Sequence, residues 1–119
     1  MFHESYMKFA DTISQKYDKP FLLNGDWEVA IVRLKFEHKE MSLGVYVFCD
    51  LVEYSYCNGK RMQMLDYWDS KYINNPNATY VRVTKKRFST ININITSYIN
   101  RPDNLSIIGV TCLLHFRKV

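Results

Sequence analysis

The sequence of 119 residues predicts a single all-β domain, an antiparallel sandwich or barrel of seven to eight strands. The clearest evidence is the segment 88–99, where isoleucines alternate with polar residues as in a strand with one buried face. Two Asn-Gly pairs, at 24–25 and 58–59, mark tight turns because this dipeptide readily adopts positive φ. No segment between the predicted strands has the pattern of a crossover helix, which excludes a parallel βαβ architecture.

The N-terminal residues 1–17 are compatible with two structures. Their apolar residues follow the spacing of an amphipathic helix of a few turns. The same stretch also suits a strand through residues 6–12. Either element should end near Lys19-Pro20, because proline drives the preceding residue out of helical conformation.

Residues 27–37 predict a long strand whose pattern changes phase. Apolar side chains alternate up to Ile31 and then continue from Val32 in the opposite phase. A strand that exchanges its two faces usually contains a β-bulge or passes from one sheet to another. We therefore expect an irregularity near these two residues.

Residues 43–56 and 61–68 predict a hairpin joined by the second Asn-Gly turn. The first segment is rich in β-branched and aromatic residues, which suits a strand buried on both faces at its start. In the returning segment we expect Met62, Met64 and Tyr67 to point inward.

Three further strands complete the prediction. A polar loop at residues 69–78 precedes a short strand at 79–83. The alternating strand at 88–99 follows, and residues 105–119 form the last strand, with apolar residues on one face.

The composition indicates an ordinary globular protein with a mildly basic balance. The formal net charge is +4, and 47% of the residues are hydrophobic. A net charge of this size indicates a nucleic-acid binder only if the cations cluster, and the sequence contains one such cluster. A solvated turn between two strands explains that cluster, and a weak nucleic-acid contact is the alternative. The basic cluster consists of Arg82, Lys85, Lys86 and Arg87.

Cysteine usage and hydropathy indicate the compartment. The three cysteines, Cys49, Cys57 and Cys112, form no CxxC pair, so we expect free thiols in a reducing environment. A bridge between Cys49 and Cys112 is the alternative, because both lie in predicted strands. The sequence predicts no secretory signal peptide and no membrane span, and hence no membrane partner.

No pattern in the sequence indicates catalysis. The three histidines are far apart and lack the spacing of metal ligands, and no glycine-rich phosphate loop occurs. We therefore predict no catalytic residues, no metal and no cofactor. Asp50 interrupts an apolar run, where a buried charge is costly, so we expect a salt bridge to Arg33 or Arg117.

Several segments, taken together, resemble one known family. They are residues 20–31 (PFLLNGDWEVAI), residues 43–53 (LGVYVFCDLVE), and a third set at 80–83, 88–95 and 113–118. In order and spacing they are similar to the penton-type minor capsid proteins of Polinton/Maverick elements and adintovirus-like viruses. Each motif alone is ordinary β-sandwich sequence, and only their order is specific.

The resemblance implies a single jelly roll that assembles as a homo-pentamer at the vertices of an icosahedral capsid. It implies a virion protein assembled inside the host cell beside a major capsid protein, without catalytic residues. It also favours a first strand at residues 6–12. This chain is shorter than the family, since residues 38–42 stand where the family has a large insertion. Residues 100–104 replace a glycine-rich segment.

Aromatic residues near the predicted hairpin end suggest a subunit interface, because pentamer faces need apolar surface outside the core. A wet loop is the alternative explanation, and a monomeric sandwich that binds a protein or single-stranded nucleic acid is the alternative function. The predicted interface residues are Tyr54, Tyr56, Tyr67, Trp68 and Tyr72.

Overall fold

The computed structural model describes residues 2–9, 12–38, 44–57, 59–69, 78–96 and 107–119. These residues form ten β-strands and no helix. The strands are β1 (Phe2–Phe9), β2 (Thr12–Leu22), β3 (Trp27–His38), β4 (Gly44–Cys49), β5 (Ser55–Cys57), β6 (Lys60–Met62), β7 (Met64–Asp69), β8 (Val81–Arg82), β9 (Arg87–Thr96) and β10 (Ile107–Lys118).

Eight of these strands form two four-stranded antiparallel sheets. The first sheet has the order β1-β10-β3-β8 and the second the order β2-β9-β4-β7. The strands β5 and β6 form a separate hairpin between β4 and β7. Two such sheets, with the chain passing repeatedly from one to the other, are the topology of a jelly roll. The predicted all-β sandwich with a single jelly roll is confirmed.

The N-terminal segment is extended, and the helical alternative is wrong. β1 pairs with β10 from Phe2 opposite His115 to Phe9 opposite Ile108. β2 then joins the other sheet beside β9. The backbone groups of this segment are satisfied by pairing with distant strands, which outweighs the local helical spacing of its apolar residues.

The predicted irregularity in β3 is confirmed as a β-bulge. Arg33 lies opposite Leu113 and Ile31 opposite Leu114, which leaves Val32 as an extra residue. A bulge changes which face the following residues take. As a result Ile31 and Leu34 are both buried, although they are three positions apart in the sequence.

A second bulge, in β7, corrects the predicted orientation of Tyr67. Val47 pairs with Asp66 and Phe48 with Met64, so Leu65 is the extra residue. Leu65 is buried and Tyr67 points outward, with 46% of its surface exposed. A regular alternation continued from the buried Leu65 would turn Tyr67 inward as well, and the bulge reverses the faces of the residues that follow.

A third irregularity lies in β2, which continues through Pro20 to Leu22. Lys16 pairs with Thr90 and Phe21 with Phe88, so residues 17–20 lie opposite Ser89 alone. Proline is tolerated there because no ladder hydrogen bond requires its missing N–H. The expectation that the element ends before Pro20 is therefore wrong.

The core lies between the inner faces of the two sheets. Cys49 on β4 and Cys112 on β10 are buried in it, and both are free. The disulfide alternative is therefore wrong for this pair. Burial raises the pKa of each thiol to about 12, so both remain protonated at neutral pH. The largest fully buried core side chains are Phe116, Ile31, Leu34, Leu51, Leu65, Ile91, Ile93, Ile95 and Leu114.

Candidate functional site

Three connections lie together at one end of the sandwich: β2 to β3, β4 to β5, and β8 to β9. Backbone hydrogen bonds join them to one another. Leu23 N donates to Lys86 O at 2.8 Å, and Thr84 N donates to Leu51 O at 2.8 Å. The basic cluster belongs to this end, so its cations are carried on backbone that is held at several points.

Two cations of the basic cluster share one carboxylate. Arg82 and Lys86 lie 3.6 Å and 3.7 Å from Asp26 Oδ1, and the Lys86 ammonium also donates to the Gly25 carbonyl. Gly25 has φ 85°, a conformation that glycine adopts easily in the turn before β3. Arg87 is exposed at the start of β9 and, together with Lys85, lines a groove that Arg82 and Lys86 do not line. The cluster is therefore divided between two surfaces.

Asp50 joins the end of β4 to β9. Its carboxylate accepts hydrogen bonds from the backbone N–H of Asn92 at 3.1 Å and from Asn92 Nδ2 at 2.8 Å. Lys85 Nζ lies 4.0 Å from the same carboxylate. The predicted partners, Arg33 and Arg117, are therefore wrong, because β9 brings the Asn92 amide, and the connection before β9 brings Lys85, closer to this carboxylate.

Two exposed tyrosines lie at the hairpin β5–β6, Tyr56 on β5 and Tyr54 immediately before it. Gly59 has φ 76° in its turn, as the Asn-Gly signal predicted. Tyr56 is 80% exposed and lies opposite Arg61, whereas Tyr54 is 53% exposed. The Arg61 guanidinium lies 4.5 Å from the centre of the Tyr54 ring, a cation–π contact that orders both side chains.

The hairpin is anchored to the sandwich and borders a groove of about 370 Å³. Gln63 Nε2 donates to the carbonyls of Asp50 and Val52 at 3.1 Å and 3.0 Å. The groove lies between the hairpin and β9, and both Tyr54 and Asn92 line it. The bases of the hairpin strands are thereby fixed, so the tyrosines have a defined position.

The neighbours Tyr67 and Trp68 on β7 have opposite environments. Tyr67 is exposed and its ring centre lies 4.8 Å from that of Tyr46 on the adjacent strand. Trp68 is 3% exposed and belongs to the core, so the interface prediction is corrected at this residue. Tyr72 lies outside the described residues. We use the term tyrosine surface for the three exposed members, Tyr54, Tyr56 and Tyr67.

His115 has its hydrogen-bonding partner within the chain. Its Nδ1 lies 2.6 Å from the Tyr80 hydroxyl, and the Arg117 guanidinium lies 3.5 Å from the centre of the Tyr80 ring. Arg117 is itself paired with Glu28. Burial and the nearby positive charge of Arg117 lower the pKa of His115. Sequence reasoning missed the Tyr80 contact, since nothing local links residues so far apart in the chain.

Within the described ranges, no three His, Cys, Asp or Glu side chains come together as metal ligands. The same ranges contain no helix long and apolar enough to cross a membrane. Comparison with protein-family models, with curated proteins and with solved structures found no match to this chain.

Proposed function

We propose that the protein is a structural capsid protein, a penton-like jelly roll that self-assembles into a ring at icosahedral vertices. The observation that carries the proposal is the strand order of the two sheets, β1-β10-β3-β8 and β2-β9-β4-β7. Jelly rolls of eight strands build many viral capsids, and they also occur in lectins and cupins. The sequence resemblance to penton-type proteins favours the capsid among these uses.

The tyrosine surface supports self-assembly. Tyrosine is enriched at the centres of protein interfaces, where its ring is buried and its hydroxyl can still find a partner. Tyr54 and Tyr56 project from an anchored hairpin, so little conformational entropy is lost when a partner covers them. Tyr67 lies on β7, the last strand in the order of its sheet.

The position of β7 offers a second element of the interface. A terminal strand presents backbone donors and acceptors to which another chain can pair. A ring with five copies needs a heterologous contact, in which two different patches of each subunit meet. The hairpin tyrosines of one copy and the β7 edge of the next are two such patches.

Light scattering on a sizing column tests the proposal. A pentamer of the 14.2-kDa chain has a mass of about 71 kDa. We expect this species, and we expect Tyr54→Ser with Tyr56→Ser to weaken its association at least about fivefold, as for hot-spot residues above 1 kcal/mol. Leu22→Ser is the matched control, because Leu22 is an exposed apolar residue on β2 outside the tyrosine surface. A strictly monomeric protein over a wide concentration range would contradict self-assembly.

The alternative proposal is a monomeric binding module for a protein or a single-stranded nucleic acid. The groove of about 370 Å³ beside the hairpin favours it, because Tyr54 and several polar side chains converge there. Under this alternative the tyrosine variants leave the mass unchanged and reduce ligand binding.

A further inference from the structure

The irregularity in β2 opens a second groove, of about 490 Å³, along one edge of the second sheet. Residues 17–20 lie opposite a single residue of β9, so the two strands separate there. Phe88 and Ile91 on β9 are both buried in the core, although residues three positions apart point to opposite faces of a regular strand. Ser89 and Thr90, between them, line the groove.

Three cations surround this groove and come from three parts of the chain. Lys16 lies on β2, Lys85 in the connection before β9, and Arg87 at the start of β9. All three are exposed. Asp18 is the acidic residue among the lining side chains, so the lining carries an excess of two positive charges.

Ion pairs distinguish the cations of this groove from the other members of the basic cluster. Arg82 and Lys86 lie beside Asp26, away from the groove. Lys85 is 4.0 Å from Asp50, a distance that leaves its ammonium free to contact a second anion. The groove therefore contains two members of the basic cluster, Lys85 and Arg87, together with Lys16, which lies far from them in the sequence.

We propose that this groove binds the phosphates of a single-stranded nucleic acid. Lysine and arginine neutralise phosphodiesters, and the hydroxyls of Ser89 and Thr90 add hydrogen-bond donors on the groove floor. Tyr17 also lines the groove, with its ring packed edge to face on Phe21 at 5.0 Å. Proteins that bind single strands combine cations with aromatic rings on which unpaired bases stack, and this groove is lined by both.

The site is contained within one chain, so the proposal does not rest on ring assembly. A ring would place several copies of the groove side by side and strengthen binding through multivalency. A monomer would still bind. Binding and solution mass are separate measurements, and failure of one leaves the other interpretable.

The test is fluorescence anisotropy with a labelled oligothymidylate, titrated at several salt concentrations. Three phosphate contacts predict a slope of log K against log salt near −2, at about −0.7 per contact for single strands. We expect Lys16→Gln with Arg87→Gln to reduce the slope to about −0.7 and to lower the affinity at least about tenfold at low salt. Both residues are exposed, so the folded structure should persist, which circular dichroism verifies.

The matched control is Arg33→Gln with Lys35→Gln, two exposed cations on β3 that lie outside the groove. It removes the same charge and should change the affinity less than about twofold. An equal loss in this control would overturn the proposal, since binding would then follow net charge alone. Binding that is unaffected by salt, or equal affinity for a duplex of the same length, would also overturn it.

Discussion

The basic cluster and the tyrosine surface both lie at or beside connections between strands, yet folding treats them differently. Arg82 and Lys86 converge on Asp26, whereas Tyr56 remains 80% exposed. The chain supplies partners for most of its clustered charges. For its hairpin aromatics it supplies one contact among the described residues, the guanidinium of Arg61 over Tyr54.

This difference follows from what each kind of side chain needs. A cation at a turn is already solvated, and it can pair with any carboxylate within about 4 Å at little cost. An aromatic ring needs a large volume between the sheets, and the core already holds Trp68, Phe88 and Phe116 packed among aliphatic side chains. Exposed tyrosines that the core cannot accommodate are therefore the better indication of a partner.

The largest effect on the free energy of unfolding should come from one of two neighbouring residues on β7, and the other should have little effect. Trp68→Ala should lower the free energy of unfolding by about 3–5 kcal/mol, because it leaves a cavity in the core. Tyr67→Ala should cost only about 1 kcal/mol, chiefly the loss of the Tyr46 ring contact. Urea unfolding of both variants measures the difference. Similar losses would mean that Tyr67 is structural, and would remove it from the tyrosine surface.

Asp66 offers an intermediate test, because its Oδ2 is buried and has no hydrogen-bond partner among the described residues. Burial raises the pKa of this carboxyl above its ordinary value of 3.8. The folded state therefore favours the protonated form, and the ionised form is penalised at neutral pH. Asp66→Asn should raise the free energy of unfolding at pH 7, since an amide keeps the acceptor for Tyr67 N without the charge.

The pH dependence of this gain is a further check. The stability advantage of the Asp66→Asn variant should shrink as the pH falls through the raised pKa of the wild-type carboxyl, and should vanish below 3.8. Chemical denaturation at pH 7 and at lower pH gives the comparison. A variant that is less stable than the wild type at pH 7 would contradict the prediction that the buried charge is the dominant cost at this position.

The weakest effect on stability concerns the basic cluster. Asp26→Asn removes the carboxylate shared by Arg82 and Lys86. Because these groups are exposed, the free energy of unfolding should fall by less than about 1 kcal/mol. Oligothymidylate binding should become slightly stronger as two cations are released. A large loss of stability would mean that this end of the sandwich depends on its ion pairs.

Local pattern predicted much of the fold. The strict alternation at Ile91, Ile93 and Ile95 correctly predicted a strand with one buried face. The change of phase after Ile31 correctly predicted the bulge in β3. Both are local consequences of the two-residue period of a strand, so the sequence alone reveals them.

Features that depend on distant pairing were not predictable in this way. The bulge at Leu65, which turns Tyr67 outward and Trp68 inward, arises from the register against β4. The partner of Asp50 is Asn92, which belongs to another strand. No local pattern encodes which of several candidate partners the fold brings within hydrogen-bonding distance.

Residue patterns along the chain were enough to establish an antiparallel sandwich, its turns at Gly25 and Gly59, and a surplus of aromatic residues near one hairpin. Which of those aromatics are exposed, and which cations share a surface, depended on the folded arrangement of the strands. Lys16 and Arg87 meet at one groove because β2 and β9 are paired, although the chain separates them widely. Periodicity is a property of neighbouring residues, whereas surfaces are made by strands that pair across the fold.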